Sequence, residues 1–369
     1  MKLFKFPYLV QQEILHNFEY KNLLLLSFVS KNMNKLIKSS QIARFKSVNF
    51  IEYGSGRSDE PLVYIPHKNT RYTILKLTGP FENPARHEND YFTLNISGKI
   101  VDVRVCIFHG LVVFSRSWEP VIKSIHNYLL NLFGSSVEYR WTTSTRTDLF
   151  EVFIPRLKNL SVLNTSCGEN DMKTVDTYLL SSPVIKRIDF FIFCSLDRGF
   201  FSRCGYMPTE EPFPPESKLY QAQSIGVTQR ELATPAVLRH YQGRQAFIKC
   251  ERCENQDLIE FINRWKSGEA FRNLEYLEIE ILISEVPQNR IFYATGTKYI
   301  DVTKRSPTHT LPKIFIDNGD DEPNTDPITS HAYVVRESDG HVASVQIQRD
   351  TFSFGVWDKT EEEFLRMVE

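Results

Sequence analysis

The chain has no long apolar run. In its leucine-rich opening the longest uninterrupted stretch is Leu23–Leu26, far short of the roughly 20 residues that cross a bilayer, so no membrane-spanning helix is expected. It also has almost no net charge: 44 Lys and Arg against 45 Asp and Glu leave −1. That removes the global attraction to polyanions that nucleic-acid or anionic-membrane binders show. The opening MKLFKFPYLV lacks the continuous apolar stretch and small-residue cleavage site of a secretory leader. The six cysteines are therefore expected as thiols in a reducing compartment, cytoplasmic or nuclear, and the N-x-S/T sequons at Asn95, Asn159 and Asn164 as chance matches.

Signatures of catalysis are missing too. There is no G-x-S-x-G elbow, no H-E-x-x-H, no P-loop and no G-x-G-x-x-G. Cys250 and Cys253 stand as C-x-x-C, but Cys194, Cys204 and His240 upstream supply no second tight pair, as a closed tetrahedral zinc site requires. Cys194 is read as a small buried hydrophobe, and Cys250 and Cys253 as flanking a strand end. His87-Glu88-Asn89-Asp90 gathers acid and base types in what reads as a solvated loop. The segments RGFFSRCGY and YRWTTSTR put cations beside aromatics, without net positive charge behind them. The expectation is a protein without catalytic residues, metal or cofactor, and without a nucleic-acid or membrane partner.

What the chain does have is length and greasiness: 369 residues, 41% hydrophobic and 13% aromatic, enough for more than one structural unit. Residues 1–42 hold 21 apolar residues, with six lysines against Glu13 and Glu19. Leu9, Val10, Ile14 and Phe18, then Leu23 and Leu26, then Met33, Leu36 and Ile37 fall near helical spacing, so three short helices are predicted, with Pro7 in a first turn. About 40 residues cannot bury a core alone, so the apolar excess of this head needs a cover.

Residues 43–119 change period. YTILKL, YFTLNI, VDVRVCIF and LVVFS read as strands separated by turns around Gly54–Gly56, Gly79-Pro80, residues 82–90 and Ser97-Gly98. From 120 to 285 helix alternates with strand. Val121, Ile122, Ile125, Leu129, Leu132 and Phe133 make one helical face that Gly134 closes, and VEYRW follows as a strand. An apolar pattern at positions one, four and six recurs as Leu157, Leu160, Val162, then Ile185, Ile188, Phe190, then Leu274, Leu277, Ile279. The first two copies lie 185 − 157 = 28 residues apart, within a leucine-rich-repeat period. An ordinary α/β layer fits the same pattern, and both readings stay open. Residues 195–245, with Pro208, Pro212, Pro214 and Pro215, read as an irregular insertion. Leu258, Ile262 and Trp265 form the clearest helix, with Asp257 as N-cap and Gly268 as stop. Residues 286–369 read as an acidic loop around Asp317–Asp326, a three-strand meander turning at Asp339-Gly340 and Arg349-Asp350, and a last helix with a Thr360–Glu363 capping box. The fold class is α+β: a small three-helix head, a β-rich segment and a leucine-rich-repeat-like α/β region.

The segment FPYLVQQEILHNFEYKNLLLLSFVSKNMNKLIKSS resembles an F-box. Phe6-Pro7 stands for its opening Leu/Phe-Pro, Leu9, Val10, Ile14 and Leu15 lie on its first helix, Leu23, Leu24 and Leu26 follow, and Val29-Ser30-Lys31 matches its V-S-K element. Met33 replaces an aromatic residue common there. LIEFINRWKSGEAFRNLEYLEIEI is similar to the F-box-associated type 2 domain of nematode-type F-box proteins, through Phe261, Trp265, Gly268, Leu274, Leu277 and Ile279. The resemblance implies a non-enzymatic substrate receptor of a Skp–cullin–F-box ubiquitin ligase. Its adaptor-binding face would be drawn from Phe6, Pro7, Leu9, Val10, Ile14, Leu15, Leu24, Leu26 and Val29. The partners implied are a Skp-type adaptor protein and, through it, a cullin, with an unknown protein substrate on the body. Some of these leucines must form the head's own core, and sequence does not sort them. For substrate contact, Phe200, Phe201, Tyr206 and the WTTSTR region stand out. A structural or scaffolding protein whose head packs on its own sheet is the competing expectation. An enzyme with a novel site on the concave face of the repeat region is a third.

Overall fold

The computed structural model describes residues 3–55, 60–67, 70–79, 91–143, 154–168, 172–182, 185–193, 213–229, 234–251, 253–282, 286–315 and 322–368. The chain forms two compact units, Met1–Arg146 with Phe153–Asn164, and Thr147–Val152 with Thr165–Glu369.

The first unit opens with a 3-10 turn at Leu3–Lys5, then α1 (Tyr8–His16), α2 (Tyr20–Ser27), α3 (Lys31–Ser40) and α4 (Ile42–Lys46). Ser30 caps α3 by accepting from the Met33 amide at 3.1 Å, the side-chain bond that favours serine at a helix start. The fourth helical turn goes beyond the three expected from periodicity. It is held because Phe45 is buried against Phe133, ring centroids 4.7 Å apart.

Next come β1 (Phe50–Ser55), β2 (Pro61–His67), β3 (Thr70–Thr78), β4 (Phe92–Ile96), β5 (Lys99–Cys106), β6 (Gly110–Phe114), α5 (Trp118–Phe133) and β7 (Glu138–Thr143). The strand order is β4-β5-β6-β3-β2-β1-β7, with β3–β6 and β1–β7 parallel and the other pairs antiparallel. Gly54, expected in a turn, lies inside β1 opposite Leu62. The predicted Ser97-Gly98 turn is present, both residues at positive φ, with the Gly98 amide donating to Asn95 Oδ1. Gly134 ends α5 at φ 96°, a conformation glycine adopts without a Cβ penalty. The six apolar residues expected on the α5 face are all buried. His126 joins them. Its Nε2 donates to the Lys158 carbonyl (2.6 Å), because a carbonyl oxygen can only accept, so Nδ1 accepts from the Tyr53 hydroxyl (2.9 Å). Burial lowers the His126 pKa to about 4 and raises that of Tyr53.

Strand β8 (Leu160–Gly168) runs from the first unit into the second, which continues with α6 (Met172–Ser181), β9 (Arg187–Phe193), β10 (Ser224–Gln229), α7 (Thr234–His240), β11 (Gln245–Cys250), α8 (Asn255–Ser267) and β12 (Tyr276–Ile281). Then follow α9 (Gln288–Thr295), β13 (Lys298–Tyr299), β14 (Thr308–His309), β15 (Ile328–Thr329), β16 (Ala332–Val335), β17 (His341–Gln348), β18 (Thr351–Thr360) and α10 (Glu361–Leu365). Strands β9, β10, β11 and β12 are parallel and adjacent in chain order, and β18, β17, β16 and β13 extend them antiparallel. Strands β14 and β15 pair with each other, and the other sixteen take part in mixed parallel and antiparallel pairing.

Register explains the recurring apolar pattern. Ile188, Ile225, Ala246 and Leu277 stand in one cross-strand row, and Phe190, Val227, Ile248 and Ile279 in the next. All eight are buried. One copy, Ala222, Ile225, Val227, therefore lies inside the segment expected to be an irregular insertion, and a second, Gly243, Ala246, Ile248, begins at its end. Small residues hide them from a hydrophobic pattern, and at Gly243 a Cβ would collide with the Ala222 carbonyl oxygen. Residues 213–229 and 234–245 thus contribute a 3-10 turn, β10 and α7 rather than a loop, while RGFFSRCGY, with Phe200, Phe201, Tyr206 and Cys204, and Cys194 before it, lie outside the described residues. So do His87–Asp90, the STR of WTTSTR and half of the acidic loop.

Over these rows α8 places Phe261 and Trp265 against Phe354 of β18, both at 5.1 Å. Helix α8 starts after Glu254, three residues before the expected cap. Asp257 instead lies in the first turn, where a carboxylate favours the helix dipole. Gly268 stops α8 in the left-handed region, and the Thr360–Glu363 capping box is formed as expected. Among the described residues no helix is long and apolar enough to cross a membrane.

Candidate partner-binding surface of the helical head

Helix α1 is amphipathic in a direction that leaves apolar residues outside. Gln11 and Leu15, one turn apart, face the core, and Gln11 Nε2 donates to the Phe6 carbonyl at 2.6 Å, tying the entry of the chain to the helix. The residues on the other side are Leu9 and Val10. Leu9 is 76% exposed, Val10 40%, Phe6 41% and Val29 70%. Pro7 is exposed and sits immediately before α1, where its missing N–H leaves no bond unmade. Val29 follows α2 in the turn that ends on the Ser30 cap, its amide bonded to the Leu26 carbonyl.

The nine residues expected at the adaptor face therefore divide. Phe6, Pro7, Leu9, Val10 and Val29 are exposed, and Ile14 and Leu26 are half-buried. Leu15 and Leu24 are 0% and 1% exposed and belong to the head's own core with Leu23 and Ile37. The opening also contributes Phe4 and Tyr8, exposed beside Phe6 and Leu9. Their signal in the sequence was the density of aromatics around Phe6-Pro7, which helical periodicity does not register.

The other side of the head is covered by its own unit. The Tyr128 hydroxyl of α5 lies 2.7 Å from Ser27 Oγ and accepts from Asn34 Nδ2 at 2.9 Å, and Phe28 stacks on the Tyr128 ring at 4.3 Å. Tyr20 is flanked by Phe45 and Phe133, with the Arg44 guanidinium 4.4 Å above its ring. Arg44 also donates to the carbonyls of His16 and Phe18. The head is thus held against α5 through α2, α3 and α4, while Phe4, Phe6, Tyr8, Leu9, Val10 and Val29 stay exposed. Exposed apolar patches of this kind mark interaction sites.

Among the described residues no group of three or more His, Cys, Asp or Glu side chains gathers to hold a metal ion. Burial, reinforced by Cys250 and nearby carboxylates, pushes the Cys253 thiol far above its ordinary range, which suppresses the reactive thiolate. His126 is consumed by its two partners.

Residues 3–45 match the F-box domain. The match spans all four head helices up to Phe45. No curated protein and no solved structure matches the chain. An F-box domain implies binding of a Skp-type adaptor and a substrate-adaptor role in a Skp–cullin–F-box ubiquitin ligase. Proteins that carry one are typically non-catalytic.

Proposed function

We propose that this chain is a substrate receptor whose F-box docks on a Skp-type adaptor, and through it on a cullin, while the rest of the chain holds the target. The observation that carries the reading is the exposed strip Phe6, Leu9, Val10 and Val29 inside the residues that match the F-box. Covering a Leu or Val side chain is worth about 1.5–3 kcal/mol, so a few of these residues dominate the affinity. The receptor makes and breaks no bonds. It raises the effective concentration of a target beside the ligase's ubiquitin donor and turns a rare encounter into an intramolecular one.

The finer reading, an F-box-associated type 2 domain of the nematode type, is supported by α8 with Phe261 and Trp265 buried, the left-handed Gly268 and the buried Leu274, Leu277 and Ile279 of the β12 approach. A leucine-rich-repeat-like layer is supported by parallel strands β9 to β12 following one another in chain order. A scaffolding protein is the second reading, favoured by the packing of α2, α3 and α4 on α5, but that packing leaves the exposed strip unused.

Copurification of the full chain with a Skp-type adaptor tests the proposal. Wild type is expected to retain the adaptor and Leu9→Asp with Val10→Asp to lose it, with unchanged circular dichroism. Retention by the double variant would overturn the assignment of this face.

A further inference from the structure

A groove of about 920 Å³ runs between the head and the helix beneath it, at the upper end of the roughly 300–1,000 Å³ of ligand-sized sites. Its rim is basic. Lys31, Lys35 and Lys38 follow one another at helical spacing along α3, and among the described residues no carboxylate lines the groove. Lys38 Nζ donates to Asn131 Oδ1 at 3.0 Å, and Lys31 and Lys35 have no ion-pair partner among the described residues. These lysines supply half of the six cations that make residues 1–42 basic in a chain of net charge −1.

The walls are rich in carboxamides. Asn34 comes from α3, Asn131 from α5 and Asn95 from β4, the last strand in the order of its unit. Each has one amide atom engaged: Asn34 Nδ2 on the Tyr128 hydroxyl, Asn131 Oδ1 on Lys38 and Asn95 Oδ1 on the Gly98 amide. Asn34 Oδ1, Asn95 Nδ2 and Asn131 Nδ2 are left without partners among the described residues. One acceptor and two donors match the alternating N–H and C=O groups of an extended backbone. The aromatic floor is closed, since Phe28 and Tyr128 stack on each other and offer no slot for a base. Three lysines are also few for a nucleic-acid track, which draws its affinity from many phosphate contacts.

We infer that this groove binds an extended acidic segment of a protein, and that the segment belongs to the recruited target. Its identity as a target rests on the ligase reading. The binding of acidic peptide does not. Exposed charge pairs are individually weak and act together, so reversing all three lysines is expected to weaken binding about tenfold or more.

The test uses the full chain and a fluorescein-labelled peptide of alternating Asp and Val, with its Asn-for-Asp counterpart as control, read by anisotropy. The acidic peptide is expected to bind, to weaken with added salt and to outcompete the control. Lys31→Glu/Lys35→Glu/Lys38→Glu is expected to lose it while still copurifying the adaptor. Asn95→Asp keeps the acceptor for Gly98 and adds charge on the opposite wall, and it is expected to weaken binding several-fold without disturbing the fold. Equal affinity for both peptides, no loss in either variant, or tighter binding of oligo(dT) would overturn the inference. Release of the adaptor by the folded triple variant would assign the groove to the adaptor and also overturn it. If wild type binds the peptide but no adaptor, the ligase reading fails while the acidic-peptide site stands.

Discussion

Two leucines of the head separate binding from folding. Leu24 is 1% exposed and Leu9 76%. Leu24→Ala removes buried methylene groups and leaves a cavity, which costs about 2–5 kcal/mol. For a unit of this size that corresponds to a fall in Tm of roughly 5–15 °C. Leu9→Ala removes groups that already face water, so its effect on stability stays within about 0.5 kcal/mol. If a partner covers Leu9, about three-quarters of its 1.5–3 kcal/mol burial is realised only in the complex. The adaptor Kd then rises by roughly 7- to 45-fold. Thermal denaturation and calorimetric titration with a Skp-type adaptor, run well below both midpoints, measure the two effects separately. Leu24→Ala should shift Tm and keep its affinity, and Leu9→Ala should do the reverse. A Leu9→Ala variant with unchanged affinity, or one as unstable as Leu24→Ala, would refute the division of the head into a core side and a partner side.

Acidification should act through His126. Its folded pKa of about 4 lies below the free value of 6.5, so between those values the unfolded chain binds a proton that the folded chain refuses. The His126 contribution is constant above pH 6.5 and is lost progressively towards pH 4, by roughly 3 kcal/mol in all. The slope of Tm against pH in that window should flatten in His126→Gln, and an unchanged slope would contradict it. In the second unit, Gly243→Ala drives a Cβ into the Ala222 carbonyl oxygen, backbone that cannot rotate away. A loss of about 1–3 kcal/mol in chemical denaturation is expected, whereas Gly79→Ala, with open space around it, should be neutral.

The legible parts of the fold were those where one local rule dominates. The Thr360–Glu363 box, the glycine stops at 134 and 268, the α5 face and the Asp339-Gly340 turn are each decided within a few residues of chain. The parallel layer was legible only where large apolar residues mark the strand. Ala222 and Gly243 occupy the first position of their copies because the backbone approaches closely there, so the same physics that packs the layer erases its signature. The head shows a different limit. Leu9, Leu15 and Leu24 are chemically alike, and helical spacing identifies a face without saying whether its own chain or another covers it. Leu15 and Leu24 went to the interior because other elements of the first unit cover them, a tertiary fact. Asn34, Asn95 and Asn131 come from three separate elements, and no spacing along the chain announces their meeting.

The central claim is that the apolar strip of the head is completed by a second polypeptide. Hydrogen–deuterium exchange of the full chain with and without a purified Skp-type adaptor tests it most directly. Slowed exchange is predicted across residues 4–10 and at Val29, with the α5 amides unchanged. A bound adaptor that leaves those segments exchanging as in the free chain, or the absence of any complex, would contradict it.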